Sequence, residues 1–235
     1  MKKLITFLLL VSCAIHLCAC GKGNDSSQSI PAIPEPEPIS EEKTDNTSDN
    51  EFTGSEYDEE VISTASFFKK YDTTEVLEEN ASVVIEGSVV RTTLHLHKVN
   101  DDIVPYTLFE LHVKNVIKGN VEKDSTILVA EYGGIITAEE AGFRSKYPDM
   151  SDEDTNKRIL VSFGNQLPKP RQQLLLFLSD DDGYQILSID TPYYMIVGEY
   201  YGMFIHDASS SYIQNLPSYM NESERIVIED INCLN

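Results

Sequence analysis

Three histidines come closest to a recognisable chemistry in this chain. His95 and His97 lie two apart in a run rich in Val, Thr and Leu, and on a strand alternate residues project from one face. His112 falls in the next apolar run, so two neighbouring strands could offer three imidazoles to a metal such as zinc. Register argues against the trio. If Val90, Leu94 and Leu96 face inward together with Thr107, Phe109, Leu111 and Val113, Leu96 lies opposite Thr107 and Leu94 opposite Phe109. His97 then meets Tyr106, His95 meets Leu108 and His112 meets Arg91, roughly 13 Å along the strands from His95. Only His95 and His97 remain as a metal-binding pair, and they need further ligands such as loop carboxylates.

Acidic runs are the next candidates. Asp180-Asp181-Asp182-Gly183 stands between two apolar runs and reads as a hairpin turn. It lacks the alternating oxygen ligands and closing Glu of a calcium loop. Ser151-Asp152-Glu153-Asp154 reads as a solvated charge run, with Asp152 and Asp154 as its contact residues. Tyr193, Tyr194, Tyr200, Tyr201 and Tyr212 gather within 20 residues. Exposed tyrosines add contact area at low entropic cost, so Tyr194, Tyr200 and Tyr201 mark a candidate binding edge. Gly198 and Gly202 bracket two of them and suggest a turn or bulge. The chain has no Gly-x-Ser-x-Gly elbow, His-Glu-x-x-His, phosphate-cradling glycine loop or Cys-x-x-Cys. The expectation is therefore a non-enzymatic binding module without a cofactor. The alternative is a metal- or small-ligand-binding protein using His95, His97 and loop carboxylates.

Strands must position these residues. Runs of Val, Ile, Thr, Leu and Tyr at 82–98, 105–117, 125–132, 171–178, 184–189, 194–197, 203–206 and 212–214 predict eight short strands. Asn100-Asp101-Asp102, Lys118-Gly119-Asn120, Asp181-Asp182-Gly183 and residues 207–210 supply turn chemistry between them. Two helical patterns precede the strands: Val61, Ala65, Phe67 and Phe68, then Val76 and Leu77 behind a Thr73 or Thr74 cap. Residues 135–170 show no strand before Ile159-Leu160-Val161 and read as a long loop, of a length that is usually functional or disordered and the first place to look for a binding surface. In the tail, Asn221 and Glu224 match a capping box and favour a short closing helix, although Ile226-Val227-Ile228 also reads as a strand. The fold class is mainly β: a small antiparallel OB-like barrel or sandwich with short flanking helices.

The succession Ser82-Val83-Val84-Ile85-Glu86-Gly87-Ser88-Val89, then the run from Tyr106-Thr107-Leu108-Phe109 to Val116-Ile117-Lys118-Gly119, then Gln173-Leu174-Leu175-Leu176-Phe177-Leu178 resembles a recurrent set of small bacterial extracytoplasmic β-domains. These are similar in turn to OB-like barrels of the netrin/TIMP type. The resemblance spans about residues 80–215 and implies an OB-like barrel. The cysteines that staple those domains and position the TIMP inhibitory edge are missing here, so protease inhibition does not carry over.

The N-terminus supplies an address. Lys2 and Lys3 precede an apolar run, residues 4–17, that stops short of the ~20 residues of a spanning helix. Leu17-Cys18-Ala19-Cys20 resembles the bacterial lipobox, in which the cysteine is diacylated and becomes residue one. Leu10-Val11-Ser12-Cys13 is similar, but a cut there leaves Ala14-Ile15-His16-Leu17 apolar beyond it, whereas the chain turns hydrophilic directly after Cys20. The expected organisation is a signal peptide over 1–19, a lipid-anchored acidic tether over 20–56 and one β-rich domain over 57–235. The tether carries Ile30-Pro31-Ala32-Ile33-Pro34-Glu35-Pro36-Glu37-Pro38 and few large apolar residues, a composition of extended coil. The chain has 18 basic and 39 acidic residues; losing Lys2 and Lys3 takes its formal charge from −21 to −23. Such a surface repels nucleic acid and anionic headgroups. The expected partners are the membrane, through the lipid, and a protein or envelope component. The expected location is the extracytoplasmic face of the cell membrane. Cys233 is then the only thiol left, so the core holds without an intramolecular disulfide, and near the chain end it reads as a small apolar filler.

Overall fold

The computed structural model describes residues 57–63, 71–100, 102–180 and 187–234. In chain order, β1 (Glu59–Ile62) precedes α1 (Thr74–Asn80) and a long hairpin of β2 (Val83–Val99) and β3 (Asp102–Lys118). β4 (Thr126–Tyr132) and β5 (Gly134–Thr137) follow. The one-turn helices α2 (Phe143–Lys146) and α3 (Asp152–Thr155) then lead to β6 (Arg158–Ser162). β7 (Gln173–Asp180), β8 (Tyr194–Ile196), β9 (Met203–His206), β10 (Tyr212–Gln214) and β11 (Val227–Ile228) complete the strands. No described helix is long and apolar enough to cross a membrane.

Five strands close on themselves. β2 pairs with β3 and β7, β3 with β4, β4 with β8 and β8 with β7; only β4–β8 is parallel. This is a small, mostly antiparallel barrel, consistent with an OB-like barrel. Alternation fills its lumen with Val83, Ile85 and Val89 from β2, Phe109, Leu111 and Val113 from β3, Val129 from β4 and Leu174, Leu176 and Leu178 from β7. Gly87 sits opposite Val113, where a Cβ would lie 2.7 Å from the Leu111 side chain. Its missing side chain lets the strands coil tightly enough to close.

A second apolar layer covers the outside of the barrel. Leu77 and Ala81 at α1, with Tyr212, Ile228 and Leu234 from the C-terminal region, pack on Val84, Leu175 and Phe177. Thr73 caps α1, accepting a hydrogen bond from Val76 N at 3.3 Å. The third element is a small sheet in the order β1-β6-β5, with β1 parallel to β6 and β5 antiparallel to it. Its buried Ile136, Ile159 and Val161 pack with Leu94 and Tyr132 at one end of the barrel.

Several expectations need correcting. Residues 135–170 are not a long loop: β5 and β6 pair there, with α2 and α3 between them. The expected helix beginning at Val61 is strand β1 where it is described, and Ala65, Phe67 and Phe68 lie outside the described residues. Most of the expected strand at 184–189 also lies outside them, and residues 187–190 form none. In the tail, Asn221 caps only a 3-10 turn, Glu222–Glu224, and Val227 and Ile228 pair with β10. Cys233 is exposed rather than packed as a filler.

The β2–β3 register differs by two residues from the turn to Arg91 and by three at His112. Leu94 pairs with Thr107, His95 with Tyr106, Leu96 with Pro105, His97 with Val104 and His112 with Ser88. Two features cause the shift. Val99 pairs with Asp102, so the hairpin turns more tightly than a 99–104 loop allows, and the register slips between Val89 and Arg91. The bulge leaves Val90 exposed and sends Thr92, rather than Val90, into the interior opposite Phe109. One extra residue reverses the facing of everything before it.

Candidate functional site

The end of the barrel beneath the small sheet holds an unusual set of polar groups. β4 alternates Val129 inward, Ala130 outward and Glu131 inward, with Glu131 paired to Thr107 and Thr107 to Leu94. Glu131 is therefore a lumen residue, only 1% exposed. The chain then passes from barrel to small sheet through Gly133, which has a left-handed φ of 116° and donates its N–H to Pro105 O at 2.9 Å. A Cβ on Gly133 would come within 2.5 Å of Val161 O, so only glycine permits this crossing.

Returning from β6, the segment 163–167 closes over Glu131. Asn165 Nδ2 donates to Glu131 Oε1 at 2.8 Å, and both residues are buried. Asn215 holds this segment from the other side: its Oδ1 accepts from Gln166 N at 3.2 Å and its Nδ2 donates to Gln166 O at 2.8 Å. Ser218 N donates to Gly164 O at 2.9 Å. Phe163 stacks on Tyr132, with ring centroids 4.3 Å apart, and meets Tyr200 edge-on at 5.8 Å.

The 3-10 turn Glu199–Gly202 packs against β4 from the β8 side. Gly198 and Glu199 both take left-handed backbone conformations, with φ of 62° and 58°. For Glu199 this conformation costs roughly 1–2 kcal/mol, a strain that concentrates at functional positions. Burial pushes the Glu199 carboxyl upward. Glu131 responds more strongly: burial, then the Glu199 charge, push its carboxyl up to about 8 against the Asn165 hydrogen bond. Tyr106, on the neighbouring strand, is pushed up to about 12 by burial and by the charge of Glu199.

Hydrogen bonding here is incomplete. Glu131 Oε2, Asn165 Oδ1 and, one lumen row deeper, Thr92 Oγ1 are buried without a partner among the described residues. An unpartnered buried polar atom costs about 1–3 kcal/mol. Thr92→Val, which keeps the shape and deletes the hydroxyl, is expected to hold or raise the melting temperature. A fall of several degrees would show that the hydroxyl has a partner.

Two clefts flank the 163–167 segment and meet at Gly164, Gln166 and Ser218. One, about 250 Å³, has an apolar wall of Ile135, Leu160 and Leu167, with Glu60 and Lys169 also lining it. The other, about 290 Å³, is lined by Ile205, Ile213, Asp207 and Arg225. Asn165 lines the first, so its side chain links that cleft to Glu131.

The residues singled out in sequence lie elsewhere or play other parts. His95 and His97 share a face as expected, with rings stacked 6.4 Å apart, but His95 Nε2 is 3.0 Å from Leu187 O. Burial holds the His95 imidazole below its usual value, against the Leu187 hydrogen bond. No group of three His, Cys, Asp or Glu is arranged to hold a metal ion among the described residues. Asp152 and Asp154 are held in ion pairs, with Arg144 at 2.7 Å and Lys157 at 2.8 Å, rather than gathered into a site. Tyr200 is 4% exposed and belongs to the core with Phe163 and Leu216, so it cannot form part of a surface edge. Tyr201 and Tyr194 are half-buried. Cys20 lies outside the described residues.

Sequence reasoning passed over Glu131, Asn165 and Glu199. A signal for the first exists in Thr126-Ile127-Leu128-Val129-Ala130-Glu131, where strict alternation places a lone acid on the Val129 face. No family model matches this chain, and no curated protein matches it.

Proposed function

We propose that this chain is an exported lipoprotein, lipidated on Cys20, whose barrel domain is a non-enzymatic binding module at the extracytoplasmic face of the cell membrane. The N-terminal pattern supports the address. The closed five-strand barrel supports the likeness to OB-like extracytoplasmic domains of the netrin/TIMP type. The observation that carries the binding role is the pair of clefts meeting at Gly164, Gln166 and Ser218. Together they form a track with apolar walls and a cation on either side, Lys169 and Arg225, in a chain of net charge −21. The Arg225 Nε is buried without a partner among the described residues. A short peptide or comparable chain-like envelope component bearing a carboxylate fits this chemistry.

Two measurements test the reading. Radiolabelled palmitate should enter the expressed chain and the Cys13→Ala variant but not Cys20→Ala; label retained by Cys20→Ala overturns the anchor. In the purified full-length protein, tripeptides with free C-terminal carboxylates should shift amide resonances of Gly164, Gln166 and Ser218, and Arg225→Ala should weaken that binding several-fold. Shifts confined to other surfaces, or none at millimolar peptide, overturn the cleft as the binding site.

A further inference from the structure

The unpartnered oxygens at the capped end of the barrel point to a ligand of their own. We infer that Glu131, Asn165 and Glu199 form a site for a hard divalent cation, with calcium as its best fit. Glu131 Oε2 and Asn165 Oδ1 are both acceptors, both fully enclosed and both without a donor among the described residues. They come from side chains already fixed to each other by the 2.8 Å Asn165 Nδ2–Glu131 Oε1 bond. The turn carrying Glu199 is held against β4, and its left-handed backbone brings a second, half-buried carboxylate to the same end of the barrel.

The donor set is all oxygen: two carboxylates and a neutral amide. That composition selects a hard cation over zinc or copper, which favour imidazole and thiolate. Calcium tolerates irregular coordination and completes its shell with water, whereas magnesium demands near-octahedral geometry. With only two charged ligands the affinity belongs to the range of extracellular modules, about 10⁻⁴–10⁻³ M. The mundane alternative is a buried water satisfying the same atoms.

The site would explain why two carboxylates are carried to one end of the barrel, where neither forms an ion pair with a basic side chain among the described residues. An ion there would tie β4, the 163–167 segment and the Glu199 turn at one point, next to the inner wall of the first cleft. The inference does not depend on what the clefts take.

Calcium titration of the purified full-length protein tests it. Millimolar CaCl₂, at constant ionic strength, should raise the melting temperature saturably by several degrees, with MgCl₂ much less effective. Terbium should bind with tyrosine-sensitised luminescence, Tyr106 and Tyr132 being close by. Glu131→Gln, an isostere of the protonated acid, should abolish both signals while leaving the far-ultraviolet circular dichroism unchanged, and Glu199→Gln should weaken them at least tenfold. The double variant Asp152→Asn/Asp154→Asn should keep both. No saturable calcium effect in the natural chain means that water alone fills the site and overturns the inference. So does an effect that survives Glu131→Gln or is lost in the surface double variant.

Discussion

At pH 8 and in the presence of a chelator, Glu131→Gln is expected to melt well above the natural chain, and the two should converge near pH 5. The carboxyl is enclosed at the end of the barrel, with Asn165 as its one hydrogen-bond donor among the described residues and Glu199 as a like-charged neighbour. Its proton is therefore held up to about 8, while in the unfolded chain it leaves near the ordinary carboxylate value of 4.5. Above pH 4.5 the folded state binds more protons than the unfolded one, so stability is complete below that value and drains away as pH rises toward 8. The loss between pH 5 and 8 is roughly 3 kcal/mol, since each pH unit in that interval removes up to about 1.4 kcal/mol. For a domain of this size that corresponds to about 10 °C. The glutamine amide mimics the protonated acid and removes the dependence. Urea melts of both proteins at pH 5, 6, 7 and 8 measure it directly. Parallel stability curves would mean that Glu131 titrates normally and that water reaches it.

This pH limb was partly legible in the chain. The strands at 82–98, 105–117, 125–132 and 171–178 follow from alternation and turn residues, and alternation alone turns Glu131 inward once β4 is accepted. Two things were not legible. The bulge at Val90 is one residue within Ser88-Val89-Val90-Arg91-Thr92, with no glycine or proline at the slip itself to mark it, and the register it sets depends on closing the barrel with β7. The small sheet was hidden because Gly134-Ile135-Ile136-Thr137 is short and directly follows β4. Its partners come from β6 and β1, distant in sequence. The candidate site inherits that difficulty: Glu131, Asn165 and Glu199 are brought together by barrel closure and by the crossing at Gly133, both long-range events. Tyr200 shows the converse. A tyrosine-rich segment reads as a recognition surface, yet the left-handed turn at Gly198 and Glu199 sends Tyr200 into the core against Phe163.

The opposite pH limb belongs to Glu86, where the largest single loss of stability is expected. Glu86 is buried on the outer side of β2 and accepts from Tyr212 Oη at 2.7 Å, from Gln173 Nε2 and from Asn115 Nδ2. Gln173 Nε2 also donates to Tyr212 Oη at 2.9 Å, so the carboxylate ties β10 to three barrel strands through one network. Burial would raise its pKa, but the hydrogen bonds from Tyr212, Asn115 and Gln173, with the Lys114 charge, outweigh it and hold the carboxyl below its ordinary value. The stability it contributes is present above pH 4.5 and is lost as pH falls through the lowered folded value. Glu86→Leu leaves three donors facing an apolar side chain and is expected to cost about 3–5 kcal/mol, the range for breaking a buried charged network. Glu86→Gln places an amide donor among donors and should cost somewhat less while abolishing the acid limb. Tyr212→Phe removes one arm, and in a double-mutant cycle with Glu86→Gln the coupling should be about 1–3 kcal/mol. Additive effects, or an acid limb that persists in Glu86→Gln, would show that the network does not hold β10 to the barrel. Without a bound cation the two glutamates pull in opposite directions: Glu86 requires its charge and Glu131 requires its proton. Their folded values leave a window near pH 5 in which both requirements are met. The natural chain should be most stable there, and Glu131→Gln should extend that plateau to pH 8.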